Sequence, residues 1–85
     1  MKQFNYLIKN ELGIHARPAG MLVKSAEPFC SNVSIANGDK TADAKHLFEL
    51  LRLTVKCGDK VTVTCEGEDE DNAAAALEVF FTQML

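Results

Sequence analysis

The chain has 85 residues, 47% of them hydrophobic, and a formal net charge of −3. That length predicts a single domain over residues 1–85, with enough apolar material for a core that needs neither a metal nor a disulfide framework. The acidic balance argues against sequence-independent nucleic-acid binding and against anionic membrane surfaces, both of which call for a basic face.

The opening MKQFNYLIKN carries asparagine and lysine where a secretory signal needs an apolar h-region. No apolar run approaches the ~20 residues of a membrane span. A soluble cytoplasmic protein without membrane insertion is expected. Within this segment Phe4, Tyr6 and Ile8 alternate with Asn5, Leu7 and Lys9, the period of a strand. ELG breaks it. From Ala16 to about Glu27, Ala19, Leu22 or Val23, and Ala26 recur at helical spacing, and Pro28 closes the segment. Pro18 is compatible with a helix that starts at Ala16, because first-turn residues have no intrahelical acceptor to lose. NVSIANGDKTAD reads as two short strands around Asn37-Gly38, a pair suited to a type I′ turn.

AKHLFELLRL predicts a short apolar helix from about Lys45 to Leu53, with Leu50 and Leu53 inward and Phe48 and Leu51 outward. GDKVTVTCEG alternates cleanly, Val61, Val63 and Cys65 on one side and Thr62, Thr64 and Glu66 on the other. EDEDNAAAALEVFFTQML begins with acids that suit a helix N-terminus, offers Asp69 as N-cap, and continues with Leu77, Phe80, Phe81 and Met84. The order β-α-β-β-α-β-α predicts an α+β fold: a four-stranded antiparallel sheet with three helices on one face.

ELGIHARPAG, Glu11 to Gly20, places His15 directly before the expected helix start. Backbone N–H groups around Ala16 and Arg17 then lack intrahelical acceptors, and together with the aligned peptide dipoles they favour an anion. Arg17 adds a permanent cation able to grip phosphate through two parallel hydrogen bonds. An imidazole here suits reversible phosphorylation, with the incoming charge met by donors already oriented. On spacing alone, an incidental surface histidine fits H-x-R-P as well.

GIHARPA resembles the active-site signature of the HPr family, histidine-containing phosphocarriers of the bacterial phosphoenolpyruvate-dependent sugar phosphotransferase system. The likeness runs nearly end to end, AKHLFELLRL resembling the family's second helix and VTVTCEGEDE its last strand and turn. The resemblance implies an open-faced β-sandwich and a monomeric shuttle without a cofactor. It is not an independent enzyme: it takes a phosphoryl group from enzyme I and hands it to sugar-specific IIA proteins. By motif match His15 is the phosphorylated residue, Arg17 the charge partner of the phosphate, and Pro18 the residue that shapes the helix entrance. The backbone of Ala16 and Arg17 completes the phosphate site. Leu47, Phe48 and Leu51 match the family's partner-docking surface, bordered by Gly20 and Lys24. An all-core role for these leucines and Phe48 fits the periodicity equally well.

Two positions depart from the family. Where it usually carries a serine, phosphorylated by a kinase in many Gram-positive members, this chain has His46 between Lys45 and Leu47, so that switch is expected to be absent. Leu12 stands where many members have a small polar residue.

The main alternative is an HPr-like regulatory module that docks partners without phosphotransfer; members lacking transfer activity generally lack the active histidine, and His15 is present. His15, His46 and a cysteine show no metal-ligand spacing, and EGEDEDN lacks the sixth-position glycine and twelfth-position glutamate of a calcium loop. No metal is expected. Cys30, Cys57 and Cys65 form no C-x-x-C pair, as in a reduced intracellular protein; Cys65 is expected buried, Cys30 and Cys57 partly exposed.

Overall fold

A computed structural model describes residues 1–85. The elements are β1 (Lys2–Leu7), α1 (Ala16–Ala26), β2 (Asn32–Asn37), β3 (Lys40–Asp43), α2 (Leu47–Arg52), β4 (Lys60–Glu66) and α3 (Glu70–Met84). The sheet order is β1-β4-β2-β3, and every pairing is antiparallel. The predicted order and the three-helix cover are both observed.

Pairing register explains the layering. Phe4 lies opposite Val63 and Tyr6 opposite Val61, while Ile35 of β2 faces Val63 on β4 and Ala42 on β3. With a period of two, these residues share one face of the sheet. Onto that face α3 packs Ala73, Leu77 and Phe81, α1 packs Leu22 and Ala26, and α2 packs Leu50. Phe81 meets Phe4 and Tyr6 edge-on, at centroid distances of 5.9 and 5.5 Å, the arrangement the ring quadrupoles prefer. The opposite face stays polar: Thr62 donates its hydroxyl to Asn5 Oδ1 (2.7 Å), and Gln3 Nε2 donates to Thr64 Oγ1 (3.0 Å). Cys65 is buried, which raises its thiol pKa, whereas Cys30 and Cys57 are exposed.

Two local expectations need correction, and a third holds in position but not in its bonding. Asn37 pairs with Lys40, so the hairpin turn is Gly38-Asp39, one residue later than expected. Gly38 has φ +62 whereas Asp39 is not left-handed, which excludes type I′ and matches the φ pattern of type II′. Asn37 is kept in the strand, its Nδ2 reaching Leu53 O and Asp59 Oδ2 (both 3.4 Å).

The second helix is shorter than Lys45–Leu53. Asp43 Oδ1 accepts from Lys45 N–H and Phe29 O from Lys45 Nζ, which holds Lys45 outside the helix and leaves His46 as N-cap and Leu53 as C-cap.

Asp69 does occupy the N-cap position of α3, but its side chain makes no cap bond. Both carboxylate oxygens turn to the loop after α1, Oδ2 accepting from Cys30 N–H (2.9 Å) and Oδ1 from Ser31 N–H (2.9 Å) and the Ser31 hydroxyl.

Candidate functional site

The loop before α1 is built around Gly13. Its φ is +67, and a Cβ there would stand 2.1 Å from Val55 O. Only glycine combines that backbone with so close an approach. Ile14 follows, buried, donating its N–H to the same Val55 O (3.2 Å). These two residues deliver His15 to the helix entrance.

His15 is the N-cap of α1, in extended backbone (φ −118, ψ −176). Its carbonyl accepts the first helical bond, from Ala19 N–H (2.9 Å), while its half-buried imidazole makes neither a cap bond nor an ion pair. The main-chain N–H groups of Ala16 and Arg17 have no protein acceptor, and Pro18, buried in the first turn, has none to satisfy. Arg17 is exposed with its guanidinium unpaired. A ring nitrogen, two main-chain donors and a free cation thus occupy consecutive positions at the positive end of a helix, an arrangement suited to three phosphoryl oxygens.

α1 packs beside α2, so the residues of the expected docking surface lie on adjoining helices. Phe48 is 72% exposed, Leu47 is also exposed, and Leu50 is fully buried. Leu51 is half-buried against the core rather than free, a partial correction to the outward pair expected from the sequence. A six-residue helix seated on a sheet edge cannot turn Leu51 fully to solvent while Leu50 and Leu53 are inside. On α1, Lys24 is exposed, and Gly20 has nothing within 4 Å of where a Cβ would stand. His46 is exposed, its Nε2 3.7 Å from Asp43 Oδ2.

The widest concavity, about 590 Å³ and lined by Lys40, Thr41, Glu49, Arg52 and Leu53, contains no residue of this site. Behind the loop stands Asn10, which no sequence motif marks; it bonds to Leu12 and Gly13 on one side and to the end of α3 on the other. An asparagine shortly before a glycine is a turn signal, but its distant partners leave no mark in the sequence.

Over residues 2–83 the chain matches the family described as the PTS HPr component phosphorylation site. It is 40% identical, over 84 residues, to phosphocarrier protein HPr of Lysinibacillus sphaericus, spanning 99% of this chain and 96% of that one. The solved histidine-containing phosphocarrier protein of a mycoplasma superposes with a TM-score of 0.94 at 30% identity, covering 96% of this chain and 93% of its own. Crh, a Bacillus subtilis catabolite-repression protein solved as a domain-swapped dimer, gives 0.79 at 32% identity, with 100% and 98% covered. The chain belongs to the HPr family, phosphocarriers of the phosphotransferase system that relay a phosphoryl group rather than act as independent catalysts.

Proposed function

We propose that residues 1–85 form one HPr-like domain that accepts a phosphoryl group on His15 from phospho-enzyme I and passes it to sugar-specific IIA proteins. An unprotonated ring nitrogen of His15 attacks phosphorus; the bond from phosphorus to the donor breaks as the nitrogen–phosphorus bond forms. The unpaired N–H groups of Ala16 and Arg17 and the Arg17 guanidinium meet the phosphoryl oxygens, and the same steps reversed release the group to the next acceptor. The observation that carries this reading is the imidazole at the entrance of α1 beside main-chain donors without acceptors.

Leu47, Phe48 and Leu51, with Gly20 and Lys24 at the border, form the surface that docks enzyme I and IIA partners in turn. We place the protein in the cytoplasm as a monomer. No helix is long and apolar enough to cross a membrane. A reconstituted relay of enzyme I, this chain, a IIA protein and its sugar permease tests the proposal: sugar phosphorylation depends on the chain and stops with His15→Ala. Relay activity that survives this substitution would refute the assignment.

A regulatory reading, docking without phosphotransfer, is supported by the likeness to Crh. It predicts partner binding and cellular phenotype unchanged in His15→Ala.

A further inference from the structure

Asn10 has four hydrogen-bonding groups, and all four are engaged, in two directions. Toward the C-terminal end of α3, its main-chain N–H donates to Leu85 O (2.8 Å) and its Nδ2 to Met84 O (3.1 Å). Toward the histidine loop, its Oδ1 accepts from Leu12 N–H (2.9 Å) and its carbonyl accepts from Gly13 N–H (2.9 Å). The partners fix the amide orientation, since turning it over would set the side-chain NH₂ against an N–H and the oxygen against a carbonyl.

Each direction has its own physical cause. The last turn of a helix leaves carbonyls without intrahelical donors; Asn10 supplies one to Met84 O, on the last residue of α3, and shares Leu85 O, just beyond the helix, with Lys9 N–H (2.6 Å). The Oδ1 bond to the amide two residues on is an Asx turn, which bends the chain at Leu12. Beyond that turn only Gly13 and Ile14 precede His15. Gly13 is wedged against Val55 and Ile14 is buried and bonded to Val55 O, so a change at residues 10–12 has little slack in which to dissipate before it reaches the imidazole.

We propose that Asn10 is a positioning residue for His15: it fastens the phosphoacceptor loop to the end of α3 and holds the Leu12–Gly13 turn that presents the imidazole. This rests on the reading of His15 as the phosphoryl acceptor. Asparagine fits because it carries an acceptor and a donor at adjacent points. Serine keeps an acceptor for Leu12 N–H but is too short to hold Met84 as well, and alanine keeps neither.

The test compares wild type, Asn10→Ala and Asn10→Ser by Leu12 amide hydrogen exchange, by kcat and KM for transfer from phospho-enzyme I, and by Tm. In Asn10→Ala the Leu12 amide exchanges at least about tenfold faster, and kcat falls about tenfold with KM within about twofold, because misplacement penalises the chemical step rather than the encounter. In Asn10→Ser the Leu12 amide stays protected and kcat returns to within about threefold of wild type, while Tm stays lowered by the lost Met84 bond. The proposal is overturned if kcat follows Tm instead of Leu12 protection, or if Asn10→Ala transfers at the wild-type rate. Should Asn10→Ala fail to fold, Asn10→Gln decides, since its longer side chain moves the acceptor away from Leu12 N–H: a deprotected Leu12 with wild-type kcat overturns the proposal, and a deprotected Leu12 with kcat about tenfold lower supports it. A wild-type chain that takes no phosphoryl group refutes the carrier reading, whereas unchanged Leu12 exchange in Asn10→Ala refutes the role given to Asn10.

Discussion

Asp69, at the start of α3, binds Ser31, at the start of the chain's return to the sheet, through both the main-chain N–H and the hydroxyl of the serine. A second main-chain donor, Cys30 N–H, reaches the other carboxylate oxygen. The charged form is thereby favoured: the Ser31 hydroxyl first, then the Cys30 amide, lower the Asp69 pKa from 3.8 to about 2. A carboxyl whose pKa is depressed on folding adds stability above its unfolded pKa and loses it as the proton returns. The contribution is therefore complete above about pH 4 and drains away towards pH 2. Urea midpoints of wild type and Asp69→Asn should differ most above that window and converge as pH falls through it. Curves that run parallel from pH 5 to 2 would contradict this.

Three glycines give a graded series. Gly13→Ala combines a left-handed φ with a Cβ driven into Val55 O, and should cost at least about 3 kcal/mol or prevent folding. Gly38→Ala meets a similar positive φ but open space, and should cost about 1 kcal/mol. Gly20→Ala, inside α1 with nothing nearby, should stabilise by about 0.5–1 kcal/mol. Denaturant unfolding ranks the three; equal costs at residues 13 and 38 would show that the contact with Val55 does not matter.

Periodicity in the sequence carries most of the layering. Val61, Val63 and Cys65 alternate with threonines because one face of β4 is buried and the other wet, and the buried set is the one expected. The helix boundary at Ala16 is equally readable, since Pro18 fits only near a helix start. What local patterns do not carry is anything decided by a distant partner. Asp69 sits where a helix cap belongs, yet its carboxylate is claimed by a loop 38 residues earlier in the chain. The hairpin turn slides by one residue because Ile35 and Ala42 must both face inward, a constraint imposed by the sheet and not by the turn residues. Asn10 goes unnoticed for the same reason, with its side-chain acceptor at Met84.

Neighbouring residues of α2 should separate docking from stability. Phe48→Ala removes an exposed ring and should change unfolding free energy by no more than about 0.5 kcal/mol. Leu50→Ala removes a fully buried side chain and should cost about 2–5 kcal/mol. If the exposed face docks partners, Phe48→Ala raises KM for phosphoryl transfer while leaving Tm unchanged. A stability loss at Phe48 comparable to that at Leu50 would return it to the core.

Residue 46 offers no hydroxyl, and His46 stands exposed at the N-cap of α2 with Asp43 beside it. Incubation with an HPr kinase and ATP should leave it unmodified. Peptide mapping by mass spectrometry checks this; a phosphate mapped to residue 46 would contradict it.

The most direct measurement is the intact mass of the chain after exposure to phosphoenolpyruvate and enzyme I, repeated on His15→Ala. The account predicts the gain of one phosphoryl group, stable in alkali, lost in acid and missing from the variant. A chain that gains no mass, or a variant that gains the same mass as wild type, would contradict it.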